Sequence, residues 1–267
     1  MSEKSLLDAS DPEPKDEYDL FSRYYELDQG DFTDDIPLYL NIAQQCGSPI
    51  FEFGCGTGRI AIALARAGYH VTGIDVASTM LALARQKIED AGLSERITLV
   101  QSDMRSPAVA GGFALGLCPL NTLMHMYTLG DQLAVLQSAH RLLRSGGVFV
   151  IDLPNPHRST LSEMQTPLLL EKEFTDPRTG HRILKLFSQR GNLATQVADV
   201  TLIYDEIDER GRVHRTLVPF HLRWLYPYEG RLLMEIAGFY VDQFYGSYDL
   251  EPFGPSSERM IIVGRVP

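Results

Sequence analysis

The stretch "FEFGCGTGR", Phe51–Arg59, constrains the fold more than any other part of the chain. A short apolar run breaks into glycines at every second position, Gly54, Gly56 and Gly58, and a helical pattern begins directly behind them. Glycine has no Cβ, so a backbone this rich in it can turn sharply and let another group come within contact distance. A strand, a glycine turn and a helix in that order also leave backbone N–H groups open at the helix start, where a ligand can take them. Such a unit points the C-terminal end of its strand into a crevice, which is how open α/β sheets bind ligands.

The rest of the chain repeats this grammar. "HVTGID" reads as a strand, "MLALARQKIEDAGL" as a helix closed by Gly92, and "ITLVQSD" as a third strand. "FALGLCPL" is a fourth strand, "DQLAVLQSAHRLLRSGG" a helix with a Gly-Gly stop, and "VFVIDLP" a fifth strand. This alternation builds a parallel sheet with right-handed crossovers. Ahead of it, residues 16–46 read as helical, with Leu20, Tyr24 and Leu27, then Ile36, Leu40 and Ala43, at helical spacing. From about residue 168 to 226 the pattern changes to strands separated by "PRTG", "RGNLA" and "DERG" turns. A helix, "PYEGRLLMEIAG", and the strands "FYVDQFYGSY" and "RMIIVGRV" finish the chain. The expected fold class is α/β: a Rossmann-like, seven-stranded, mostly parallel sheet with helices on both faces, plus an inserted antiparallel β-meander. In domain terms, residues 1–15 form an acidic tail, 16–160 and 228–267 the α/β domain, and 165–227 the insert, which serves as a substrate cover or a dimer contact.

Charge and cysteine usage narrow the partners. With 24 basic and 35 acidic residues the net charge is −11, and residues 1–20 alone hold seven acids against two lysines. A phosphate backbone is repelled by such a surface, so no nucleic acid partner is expected. No apolar run is long enough to span a bilayer, and the acidic start is unlike a secretory signal, so the expectation is a cytoplasmic protein without a membrane partner, monomer or homodimer. Cys46, Cys55 and Cys118 lack CxxC spacing, which suggests neither a disulfide framework nor a metal site.

The glycines fall as GxGxG, with Arg59 where the dinucleotide fingerprint has its last glycine, a spacing that favours a ligand without a diphosphate. Glu52 would repel a phosphate but can hydrogen-bond an amine. Asp75 ends the second strand nineteen residues after Gly56, where an acid takes ribose hydroxyls. Asp103 and Met104 follow the third strand, where an acid can accept from an adenine amino group. Taken singly, each has a plainer reading: a tight corner, a helix cap, a turn residue. Together they set three acids at the ends of three consecutive strands.

"FEFGCGTGRIAIALA…GIDVASTMLALAR…LVQSDMR" resembles the cofactor-binding half of class I S-adenosylmethionine-dependent methyltransferases, over roughly residues 18–153 and again at 228–264. The resemblance implies S-adenosyl-L-methionine as cofactor. It sets Gly54, Cys55, Gly56 and Gly58 under the methionine part, with Arg59 beside them and Glu52 supporting that end. Asp75 would hold the ribose, Val76 and Met80 would lie near the adenine, and Asp103 and Met104 would meet its edge. Tyr18 and Tyr25 in "YDLFSRYYE" resemble the Tyr-Asp…Tyr-Asp signature of a lid helix, although the second acid here is Glu26. The plainer reading is that both tyrosines pack their helix onto the sheet.

The acceptor is expected beside "CPLNTLMHM", after the fourth strand. Pro119-Leu120-Asn121-Thr122 replaces the Asn/Asp-Pro-Pro-aromatic tetrad of base-amine methyltransferases and resembles the form seen in small-molecule members, including bacterial amino-sugar N-methyltransferases. His125 is the candidate base or orienting group, or else a core or capping histidine. Tyr18 is the second catalytic candidate, Leu120 a cofactor contact, and Asn121, Asp152, Asn155 and Arg223 candidate substrate contacts. Asp152 and Asn155 equally suit a turn, and Arg223 a surface ion pair. The expected function is methyl transfer to N or O of a small-molecule acceptor. A protein or peptide methyltransferase, a nicotinamide-dependent oxidoreductase and a non-catalytic cofactor-binding module are the alternatives.

Overall fold

The computed structural model describes residues 17–156 and 165–267, with the backbone alone for residues 17–20 and 165. The expected acidic tail lies outside the described residues. The helical stretch at the start divides in two, α1 (Glu17–Gln29) and α2 (Ile36–Cys46). Gly30 and the polar turn after it stop the first helix, and Pro37 in the first turn starts the second.

Next come β1 (Ile50–Phe53), α3 (Arg59–Arg66), β2 (Val71–Asp75), α4 (Ser78–Asp90), β3 (Ile97–Gln101) and β4 (Phe113–Cys118). A short 3-10 turn spans Thr122–His125, followed by α5 (Leu129–Leu142) and β5 (Leu143–Pro154). The fourth long helix therefore ends before the Gly-Gly pair and not at it. Leu143 is already extended and pairs with Phe113, so the strand begins five residues ahead of the expected Val148. The insert forms β6 (Gln165–Thr175), β7 (Arg182–Asn192), β8 (Val197–Ile207) and β9 (Val213–Arg223). The chain finishes with α6 (Pro227–Ile236), β10 (Tyr240–Tyr245) and β11 (Arg259–Arg265).

The large sheet has the order β10-β11-β5-β4-β1-β2-β3. β3, β2, β1, β4 and β5 run parallel, and β11 lies antiparallel between β5 and β10. β1 and β4 are buried along their whole lengths, as central parallel strands covered on both faces must be. One apolar cluster, with Phe51, Phe53, Phe149 and Phe239, fills one face, and another, with Leu38, Ile50, Leu64 and Leu115, fills the other. The second sheet, β6-β7-β8-β9, is wholly antiparallel. α1 joins the two sheets through charged groups. Arg23 pairs with Asp176 and Glu206 of the meander, Asp28 with Lys172 and Lys185, and Glu26 with Lys87 on α4. No helix among the described residues is long and apolar enough to cross a membrane.

Candidate active site

β1 buries all four of its side chains, and one of them is a carboxylate, Glu52. Stripping water from a carboxylate favours its neutral form, and burial pushes Glu52 up to about 8 although Arg59 nearby pulls the other way. Its Oε2 has no hydrogen-bond partner among the described residues. Beyond it the loop turns through left-handed residues. Gly54 has φ +62°, and a Cβ there would overlap the Thr122 side chain, so this glycine lets the 3-10 turn close onto β1. Gly56 has φ +53° and open space above it, with Tyr25 Cε1 the nearest atom at 3.8 Å from an added Cβ. Asp75 ties loop to sheet: its Oδ2 accepts from Gly56 N at 2.8 Å and its Oδ1 from Ala77 N at 2.9 Å.

These groups open onto one cavity of about 590 Å³, bounded by the C-terminal ends of β1–β4, by α1, and by β8 and β9. That size falls in the usual range of about 300–1,000 Å³ for small-molecule sites. Of the residues singled out from the sequence, Tyr25, Glu52, Gly54, Cys55, Gly56, Arg59, Asp75, Val76, Met80, Asp103, Met104, Leu120, Asn121 and His125 line it. Tyr25 hangs from α1, and burial raises its phenol to about 12, which keeps it a neutral donor. Two lining charges are already engaged. Arg59 grips both oxygens of Asp35 at 2.5 and 2.7 Å, and Arg105 takes both oxygens of Asp103 at 2.6–3.1 Å. Cys55 is buried with its thiol pushed up by that burial, so it is a filler and not a nucleophile.

His125 ends the 3-10 turn, its ring edge-on to Phe220 at 5.6 Å, and burial lowers its imidazole to about 4. It is neutral at physiological pH and a weak base. The preceding Leu120 and Asn121 both have positive φ, +43° and +66°, an uncommon conformation for a leucine. Three contacts hold it: Leu120 N to Asp152 Oδ2 at 3.3 Å, Asn121 N to Asp152 O at 3.0 Å, and Arg259 Nη2 to Asn121 Oδ1 at 2.9 Å.

Four of the expected site residues do not reach the cavity. Gly58 begins α3 at φ +80° and faces Ala84 of α4. Asp152 is wholly buried and its oxygens are taken by Arg259, Tyr39 and Tyr248, so it braces the Leu120–Asn121 turn instead of meeting an acceptor. Asn155 donates its amide to Ser257 O, fastening the loop between β10 and β11. Arg223 is buried rather than exposed, bound to Gln132 Oε1 at 2.6 Å and Glu229 Oε1 at 2.5 Å. The side chain of Tyr18 lies outside the described residues.

Other lining residues were not singled out, among them Phe21, Arg105, Met126, Val200, Leu202 and Phe220. Period-2 alternation marks Val200/Leu202 and Phe220/Leu222 as sharing faces, but alternation does not say which face covers a cavity.

A parallel sheet whose glycine loop, Glu52 and Asp75 converge on one cavity is the arrangement that the resemblance to S-adenosylmethionine-dependent methyltransferases implies. The residues fit that cofactor: an unpartnered buried carboxylate oxygen lines the cavity, and a glycine leaves room beneath Tyr25. Residues 50–147 match a family model described as a methyltransferase domain. The chain is similar to a Cypemycin N-terminal methyltransferase of Streptomyces sp, 26% identical over 219 residues, 81% of this chain and 82% of that protein. Other curated methyltransferases, including O-methyltransferases of ubiquinone biosynthesis, match over about half of their length or less. Among solved structures, the CcbJ methyltransferase of Streptomyces caelestis superposes with a TM-score of 0.80 at 23% identity, covering 92% of this chain and 96% of that one. The amino pentose methyltransferase CalS10 of Micromonospora echinaspora gives 0.67 at 18%, covering 87% and 89%. The chain is an enzyme with a methyltransferase domain at residues 50–147, and it is similar in sequence and fold to S-adenosylmethionine-dependent methyltransferases. The nicotinamide and non-catalytic alternatives fall away with that assignment.

Proposed function

We propose that the chain methylates the nitrogen of a small-molecule amine. The observation that carries this reading is that two sheets line one cavity: the glycine loop and strand ends of the large sheet on one part, and Val200, Leu202 and Phe220 of the meander on another. A roof of this kind suits a compact acceptor, so we read the insert, residues 165–227, as a substrate cover.

When bound, the cofactor supplies a methyl group on a positively charged sulfur. Glu52 and Asp75 would hold its polar ends, the glycine loop would let it lie close, and Tyr25 on α1 would cover it. Displacement at that carbon is in line, so most of the acceleration comes from positioning. The acceptor nitrogen uses its lone pair to form the new bond to carbon, the electrons of the broken bond stay on sulfur, and a proton then leaves the nitrogen. His125, held at about 4, is too weak a base to ionise an alcohol at neutral pH, whereas a neutral amine brings its own lone pair. Asn121 and His125 orient that amine. The name of the Streptomyces N-terminal methyltransferase carries an amine acceptor too.

The test pairs benzylamine with benzyl alcohol, and product mass reports methylation. Methylated alcohol with untouched amine would overturn the nitrogen assignment. The same relative favours a second reading, methylation of a peptide N-terminus, and triglycine turned over faster than benzylamine would establish it.

A further inference from the structure

We infer that the acceptor end of the cavity takes an amine carried on an apolar body, in preference to a polyhydroxylated amine or a peptide. The inference rests on the methyltransferase reading above and names the substrate class of that same site.

The register of the meander supplies the first observation. Val200 pairs with Phe220 and Leu202 with Val218 across β8 and β9, so one face of the sheet is a continuous apolar surface. Strand alternation sends the polar neighbours Asp199 and Thr201 to the opposite face. Phe21 of α1 meets Phe220 edge-on at 5.4 Å, and Met126 follows the 3-10 turn, so three separate elements add apolar side chains to the same end.

The second observation is the scarcity of free charge. Among the described residues lining this end, the carboxylate is Asp131, and its oxygens are held by Arg105 Nη1 at 2.8 Å and Thr128 Oγ1 at 2.5 Å. His221 at the rim is paired with Asp199 at 2.8 Å. Beyond Asn121 and His125, an acceptor rich in hydroxyls or amides would bury polar groups against Phe21, Met126, Val200, Leu202 and Phe220, which cannot bond them, a cost it does not incur in water. An apolar acceptor gains from the same surface, by about fourfold in affinity for each methylene buried.

The test uses the full chain saturated with S-adenosylhomocysteine and titrates propylamine, butylamine, pentylamine and benzylamine by calorimetry, with glucosamine and triglycine as polar amines. The expected result is affinity rising three- to fourfold per methylene, with benzylamine bound at least tenfold tighter than either polar amine. In Leu202→Asp, affinity for pentylamine should fall at least tenfold while S-adenosylhomocysteine affinity stays within twofold. An alkylamine series with flat affinity overturns the proposal, as does tighter binding of glucosamine or triglycine. A chain that fails to bind S-adenosylhomocysteine in the first titration shows the methyltransferase reading itself to be at fault, and this inference goes with it.

Discussion

Glu52 on β1 and Asp152 on β5 are both buried carboxylates of the parallel sheet, 2% and 0% exposed, and their surroundings differ completely. Asp152 receives Arg259 at 2.6 and 2.8 Å, the hydroxyls of Tyr39 and Tyr248 at 3.3 and 3.2 Å, and the Leu120 amide. Glu52 keeps one oxygen without a partner among the described residues, and burial lifts it to about 8. A buried polar group left unsatisfied costs stability, so it persists where a ligand completes it. The saturated acid shapes the site, and we propose that the unsaturated one takes the ligand.

Removing a partner from the saturated acid should have the largest effect. Arg259→Ala strands a buried carboxylate and should cost about 3–5 kcal/mol of unfolding free energy, measured by chemical denaturation. A loss below about 1 kcal/mol would break the contrast with Glu52. Glu52→Gln should instead leave stability intact or raise it, while S-adenosylhomocysteine affinity falls by about 1.5–3 kcal/mol through the lost charged hydrogen bond. If stability fell and affinity held, Glu52 would belong with Asp152.

The pH dependence sharpens the same point. A ligand ammonium needs ionised Glu52, which in the free protein holds its proton below about pH 8. Cofactor affinity should therefore weaken as pH falls below about 8, approaching tenfold per unit, roughly 1.4 kcal/mol for each unit. Calorimetry in buffers of different ionisation heat at pH 7 should register proton release on binding, and Glu52→Gln should abolish it. The smallest effect belongs to His125. His125→Ala should lower turnover about tenfold with cofactor affinity within twofold, because an imidazole held near 4 orients more than it abstracts. A loss beyond about a thousandfold would restore it as the base.

The α/β alternation, the loop and the strand-end acids were legible because each depends on near neighbours in sequence. Gly54 and Asp75 stand at the ends of strands whose apolar runs are visible by inspection, and a strand end is where an open sheet binds. Arg223 and Asp152 lie away from the cavity for a different reason. The partners that bury them, Gln132 and Arg259, stand 91 and 107 residues away, and no local pattern announces such a pairing. The early end of α5 has a similar origin, since Leu143 pairs with Phe113 across the sheet.

By itself the sequence determined a parallel sheet with a glycine loop and three acids at its strand ends, because periodicity and glycine spacing act over a few residues. Tertiary structure decided which buried acid is satisfied and which is left open. It also decided which face of the meander covers the cavity, because both depend on contacts between elements that only the packed chain brings together.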